Sequence, residues 1–240
     1  MKINSSHVLR IMILPLFVAS GGAIFSSPAK AQGQELQERV AELKESMAKN
    51  KQSLTQYTWV EQVNISLKGE LKKQEHFQVR LGPDGKPQKT SLDPPPEPPS
   101  GGRLKRHVVE KKKEEYKEYA EQMKALAQQY VPPDKEMIQQ CYASGNISII
   151  PGGGLPSEIK LVFHNYVKPQ DSMTLIFDKA QKQLLSLQIA SYMDDPKDAV
   201  NLTVEFGRLP DGTNHVTNVI MDGVSKQLNI ATQNSNYQHL

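Results

Sequence analysis

The side chains best suited to catalysis or metal binding are few and lie far apart in this chain. Beyond residue 31 the candidates are one cysteine and five histidines: Cys141, His76, His107, His164, His215 and His239. None lies at metal-ligand spacing from another, so the sequence predicts no zinc site. Cys141 with a remote histidine as base is one interpretation, and a small buried residue is the favoured one. His164 and His215 alternate with the apolar residues of their strands, which predicts surface positions.

The acidic and glycine-rich motifs also favour structural roles. Asp194, Asp195 and Asp198 form a cluster that is compatible with calcium, but the EF-hand pattern is absent and a hairpin turn explains it better. The loop from Pro151 to Gly154 lacks the Lys-Ser/Thr of a phosphate-binding loop. No Gly-x-Ser-x-Gly motif occurs. We therefore predict no enzyme, no cofactor, and no catalytic or metal-binding residue.

The first 31 residues have the features of a cleaved secretory signal peptide. Lys2 and Arg10 form a basic start, Ile11 to Phe25 is apolar, and Ala29-Lys30-Ala31 ends in a small-x-small pattern. The alternative is a membrane anchor, but a span needs about 20 apolar residues, and this shorter run contains Pro15. We therefore expect a soluble periplasmic or secreted protein of a bacterial envelope, with no transmembrane segment after cleavage.

Charge and length constrain the class of protein. The formal net charge is +3, from 29 basic and 26 acidic residues, and the signal accounts for three of the basic ones. The remainder is therefore neutral, which argues against nucleic acid as a partner. Residues 32–240 suit a single domain. With one cysteine in all, this domain has no internal disulfide and depends on its apolar core.

The first part of that domain combines a helix with a small sheet. Leu36, Val40, Leu43 and Met47 recur at helical spacing, which predicts an amphipathic helix over 34–54. Three strands should follow between Tyr57 and Leu92, because apolar and polar residues alternate there and turn motifs separate the runs.

A proline-rich connector and a charged helix occupy residues 93–131. Asp93 to Gly102 contains five prolines, typical of a semi-rigid spacer. Leu104 to Tyr130 predicts a helix that is strongly charged in its first half. Its second half carries an apolar stripe that ends at Tyr130. Asp134 is a candidate N-cap for a short helix that reaches Cys141.

The last third is a succession of predicted strands. Its segments are Ile147 to Ile150, Glu158 to His164, Ser172 to Asp178, Leu184 to Met193, Ala199 to Arg208, His215 to Met221 and Leu228 to Thr232. Turns are predicted between them, including one at Asp222-Gly223. The fold class is therefore α+β: a curved antiparallel sheet of about ten strands, a half-barrel, covered by two to three helices.

One face of this sheet is predicted to be apolar, and it is the candidate ligand-binding surface. It carries Trp59, Val63, Ile65, Phe77, Val79, Leu161, Phe163, Leu175, Phe177, Leu187 and Ile189. An ordinary core is one interpretation of this face. A cavity under a long curved sheet, of the kind that binds ligands, is the other.

The order of elements resembles the periplasmic lipoprotein-carrier superfamily, the LolA/LolB-like fold. The likeness rests on the signal, the first helix, the strand block that opens Tyr57-Thr58-Trp59-Val60-Glu61, the inserted helix and the long strand succession. Leu175 to Asp178 followed by Leu184 to Ile189 is similar to a recurring hairpin of that family. The resemblance implies an incomplete barrel that wraps over helices and accepts acyl chains.

Three functions follow as hypotheses, of which an enzyme is the least favoured. The first is an exported soluble protein that binds a hydrophobic small molecule or lipid. The second is an envelope scaffold that contacts a protein partner through the charged helix 104–130. The deciding observation is what lines the inner face of the sheet.

Overall fold

The structure, a computed structural model, describes residues 50–95, 103–131, 133–154, 156–181 and 183–240. Its ten strands are β1 (Tyr57–Leu67), β2 (Glu70–Leu81), β3 (Pro87–Ser91), β4 (Ile147–Pro151), β5 (Glu158–His164), β6 (Ser172–Asp178), β7 (Gln183–Tyr192), β8 (Ala199–Arg208), β9 (Asn214–Gly223) and β10 (Leu228–His239). The helical segments within these ranges are α1 (50–54), α2 (Arg103–Ala127) and α3 (Lys135–Ala143).

All ten strands belong to one open, curved antiparallel sheet in the order β3-β2-β1-β10-β9-β8-β7-β6-β5-β4. Every neighbour is a sequence neighbour except β1 and β10, whose pairing joins the first three strands to the other seven. The chain leaves the sheet at one edge, β3, and re-enters it at the other, β4. This confirms the predicted fold class.

Helices α2 and α3 therefore connect opposite edges of the sheet. A helix of 25 residues is about 37 Å long, close to the roughly 43 Å spanned by ten strands. The second half of α2 packs on one side of the sheet, which we call the inner face. Tyr119, Met123 and Leu126 of α2 are buried there, as the stripe predicts. Tyr130 is buried too, but the helix ends at Ala127 instead of Tyr130 as predicted. Asp134 caps α3 by accepting a hydrogen bond from the Met137 N–H at 3.0 Å.

Strand positions follow from two-residue periodicity. The predicted bounds of β5, β6 and β8 agree with the structure residue for residue. Strand β10 is longer than predicted, ending at His239 instead of Thr232. Its second half is polar and gives little apolar signal. Pairing with β1 nevertheless holds it in the sheet through backbone hydrogen bonds.

The predicted turn at Asp222-Gly223 is wrong. Both residues belong to β9, and the turn lies at 224–227. The glycine serves close packing instead, since a Cβ on Gly223 would lie 2.4 Å from Cε1 of Tyr119 and 2.8 Å from Sδ of Met123. Gly223 thus marks the point where α2 approaches the sheet backbone.

Several predictions fall on residues outside the described ranges. They are the signal peptide 1–31, the first helix up to residue 49, and the connector from residue 96 to 102. In the ranges that are described, no helix has both the length and the apolar character needed to cross a membrane.

Candidate functional site

The eleven predicted ligand-binding residues lie in one apolar cluster with the second half of α2. Eight are buried, and Ile65, Leu161 and Phe177 are half-buried against the others. The sequence therefore predicted the buried face of the sheet correctly. Whether this face binds a ligand stays a prediction at this point.

The structure separates these residues into two groups. The first group, on β1 and β2, comprises Trp59, Val63, Ile65, Phe77 and Val79. The second, on β5, β6 and β7, comprises Leu161, Phe163, Leu175, Phe177, Leu187 and Ile189. Strands β10, β9 and β8 lie between β1 and β7, so at least four strand spacings, about 19 Å along the sheet, separate the groups.

The second group packs beside a buried hydrogen-bonded network that includes Tyr130, Asp171 and Ser191. The Tyr166 ring packs against Phe163 and Tyr130, with centroids 6.0 and 5.9 Å apart. The Tyr130 hydroxyl donates to Asp171 at 2.6 Å and lies 2.7 Å from the Ser191 hydroxyl. The carboxylate of Asp171 also accepts from the N–H groups of the loop ahead of it, those of Tyr166, Val167 and Lys168. These buried polar groups are therefore satisfied, as in ordinary cores.

The first group differs because a charged residue shares its face. Residues 59, 61 and 63 alternate inward on β1, and Glu61 is as buried as Trp59 and Val63. Phe77 of β2 and Asn234 of β10 lie directly opposite Glu61 on either side. The next inward residue of β1 is Val63, and it lies between Glu75 of β2 and Thr232 of β10. The apolar wall thus contains a polar row across three strands.

Lys89 forms an ion pair with Glu61 from the edge strand β3. Its ammonium lies 5.7 Å from the centre of the Phe77 ring, so the side chain reaches over that ring to Glu61. Both side chains are nearly inaccessible, with exposures of 10% and 6%. Burial raises the pKa of Glu61, and the ammonium of Lys89 opposes this shift only partly.

A bulge in β10 adds an aromatic wall beside this ion pair. Thr58 pairs with Gln238 and Val60 pairs with Ser235, so β10 has one residue more than β1 in this interval. Trp59 therefore lies opposite two residues of β10 instead of one. Asn236 takes φ +53°, a conformation that asparagine tolerates better than most residues. The bulge brings the Tyr237 ring parallel to the Trp59 indole, with centroids 5.3 Å apart. The Tyr237 hydroxyl donates to the Val216 carbonyl at 3.0 Å.

Four buried polar atoms around Glu61 have no hydrogen-bond partner among the residues that the structure describes. They are Trp59 Nε1, Glu75 Oε2, Thr232 Oγ1 and Asn234 Oδ1. We call the residues that bear them, with Glu61 and Lys89, the polar cluster. An unsatisfied buried group costs about 1–3 kcal/mol, and such groups are few in native proteins. Four of the nine such atoms in the described residues lie at this one place, and this concentration indicates a site that can hydrogen-bond a ligand.

Other predicted features have plain structural roles. His215 is half-buried and not at the surface as predicted, because its ring packs on Tyr237 with centroids 4.4 Å apart. Burial lowers its pKa. Cys141 is buried, as predicted, and its Sγ lies 3.8 Å from the His164 carbonyl oxygen. Within the described ranges, no three His, Cys, Asp or Glu residues converge as metal ligands.

The described side chains in the first half of α2 are those from residue 111 onward, and none of them belongs to the polar cluster. Lys111, Lys112 and Lys113 are exposed, and Glu115 pairs with Lys226 of the β9–β10 turn. The expected partner protein at this helix stays a prediction.

Sequence reasoning found Trp59 but missed the other five residues of the polar cluster, because it selected only apolar residues. One signal was present: Glu61 occupies an inward position between Trp59 and Val63 in the alternation of β1. Lys89, Thr232 and Asn234 could be assigned only with the strand order and register.

Comparisons with known proteins identify no family for this chain. No family model matches it, and no curated protein matches it. A solved structure that resembles it is a DUF1329 family protein from Desulfovibrio piger, with 14% sequence identity and a TM-score of 0.37. The match covers 89% of this chain and 94% of that protein. A likeness of this degree assigns no function.

Proposed function

We propose that this chain is an exported protein that binds a hydrophobic ligand, a lipid or other acyl-chain molecule, on the inner face of its sheet. The observation that carries the proposal is the polar cluster inside the apolar wall formed by Trp59, Val63, Phe77 and Val79. An apolar surface with a few convergent polar groups is the usual composition of a small-molecule site. The features of residues 1–31 and the carrier-like order of elements support the same function.

The proposal narrows the site to the first group of residues. Beside the second group, Tyr130, Asp171 and Ser191 satisfy one another by hydrogen bonds, whereas four buried polar atoms beside the first group have no partner among the described residues. The apolar part of the ligand should therefore lie along β1 and β2, with its polar end at Glu61 and Lys89.

Purification from the native host tests this function directly. Native mass spectrometry should show a bound mass, and the delipidated protein should bind at least one ligand from a dodecyl series with different head groups. Absence of both would refute the proposal. Determining the N-terminal residue of the purified protein tests export, because cleavage after Ala31 leaves Gln32 as the first residue.

A matched pair of variants tests the location. Phe77→Leu and Phe163→Leu each replace a buried phenylalanine by a smaller side chain. Phe77 belongs to the first group and Phe163 to the second. Both should destabilise the fold to a similar extent, about 1–2 kcal/mol. Only Phe77→Leu should weaken ligand binding. Equal effects of the two variants on affinity would place the ligand elsewhere.

A further inference from the structure

We infer that the polar cluster selects an uncharged head group that both donates and accepts hydrogen bonds, as the glycerol end of a monoacylglycerol does. This inference rests on the proposed function and specifies the class of its ligand.

The charges of the site exclude an ionic head group. Glu61 is paired with Lys89, and Glu75 is paired with Lys73 at 2.8 Å. Each of these acids already has a base as its partner, so the site offers no free counterion to an ionic head group. A carboxylate or an ammonium would therefore lose its hydration without gaining a counterion, which strongly disfavours its burial.

The unsatisfied atoms specify the hydrogen bonds that the ligand must supply. Trp59 Nε1 is a donor, so it requires an acceptor on the ligand. Glu75 Oε2 and Asn234 Oδ1, in the assigned amide orientation, are acceptors and require donors. The Thr232 hydroxyl can serve in either role. Neighbouring hydroxyl groups provide both functions, whereas a plain hydrocarbon end provides neither.

The register keeps these atoms within reach of one small group. Glu61 and Asn234 are directly paired, as are Val63 and Thr232 on the same two strands. Successive inward residues of a strand are about 7 Å apart and paired strands about 5 Å, so a glycerol-sized group can reach neighbouring members of the cluster such as Asn234 and Thr232. Trp59 lies two inward positions from Val63 on β1, and only its long side chain brings Nε1 towards the same group. Since the four atoms are sealed from water, the ligand enters only when this packing opens.

Trp59 makes the inference measurable, because it is the only tryptophan of the chain. The delipidated full-length mature protein is titrated with monolauroylglycerol, laurate and dodecylammonium, all below their micelle-forming concentrations. Affinity is measured by calorimetry and by Trp59 emission. Monolauroylglycerol should bind at least about tenfold more tightly than either ion and shift the emission as Nε1 acquires an acceptor.

Thr232→Val tests the role of the cluster, and Thr203→Val on β8, which faces away from the core, is its control. Thr232→Val removes an unsatisfied buried hydroxyl while retaining its volume. It should raise the melting temperature and weaken monolauroylglycerol binding about fivefold or more. Thr203→Val should leave the affinity unchanged.

The possible outcomes distinguish failure of the head-group inference from failure of the proposed function. Equal binding of all three ligands, or tighter binding of an ion, would overturn the head-group inference and leave the proposed function standing. No binding of any ligand would refute the proposed function itself. A Thr232→Val variant that binds normally, or that is less stable than the wild type, would also overturn the inference.

Discussion

Replacement of Lys89 by methionine removes the counterion of a buried carboxylate while retaining most of the apolar stem. Lys89 is the only ion-pair partner that the described residues provide for Glu61. Methionine can still cover the Phe77 ring, which the lysine side chain now crosses. The variant therefore isolates the charge and leaves the packing nearly unchanged.

The size of the effect is limited by protonation of Glu61. Burial already raises the pKa of this carboxyl, and loss of the ammonium must raise it further. The folded variant avoids a buried anion by binding a proton. With an unfolded pKa of about 4.3, protonation costs about 3.7 kcal/mol at pH 7 and about 1 kcal/mol at pH 5. Lys89→Met should therefore lower the free energy of unfolding by up to about 3–4 kcal/mol at pH 7.

The sign of the pH dependence follows from the raised pKa. The folded state retains a proton that the unfolded state releases, so stability is full below the unfolded pKa and is lost as pH rises towards the folded pKa. Urea unfolding followed by far-UV circular dichroism at pH 5, 6 and 7 should show the loss growing with pH. Adding Glu61→Gln to Lys89→Met should restore most of the stability at pH 7 and abolish the pH dependence of the loss.

Lys72→Met is the matched control, because its ion pair with Glu70 on β2 is largely exposed. It should change stability by less than about 0.5 kcal/mol. The reasoning is refuted if Lys89→Met costs less than about 1 kcal/mol at pH 7, or if the loss does not depend on pH.

Three further predictions concern the packing of the core. Gly223→Ala should lower the free energy of unfolding by about 1–3 kcal/mol, because the added Cβ would lie 2.4 Å from Tyr119 Cε1. Urea unfolding measures this change, and an unchanged stability would mean that α2 lies further from β9. Tyr130→Phe should cost about 1–3 kcal/mol, because Asp171 and its partners lose a buried hydroxyl. A melting temperature equal to that of the wild type would contradict it. Burial raises the pKa of the Cys141 thiol, so a disulfide reagent at pH 8 should react at least about tenfold faster after unfolding in urea; equal rates would show that the thiol is accessible.

Much of the fold could be predicted from the sequence, because its signals act over a few residues. Alternation of apolar and polar side chains located β5, β6 and β8 at their observed bounds. The carboxylate of Asp134 located the start of α3, since it satisfies an N–H only three residues away. Gly223 shows the limit of such reasoning: its pattern is that of a turn, while its role is contact with a helix about 100 residues earlier in the chain.

The sequence by itself determined which residues face inward, and only the tertiary structure decided which of them meet. Lys89 reaches Glu61 because β3, β2 and β1 are neighbours in the sheet. Tyr237 stacks on Trp59 because a bulge at Asn236 shifts one strand by one residue. Side-chain periodicity is a property of a single strand, whereas these contacts depend on strand order and register. The polar cluster, and with it the candidate site, therefore exists only in the folded sheet.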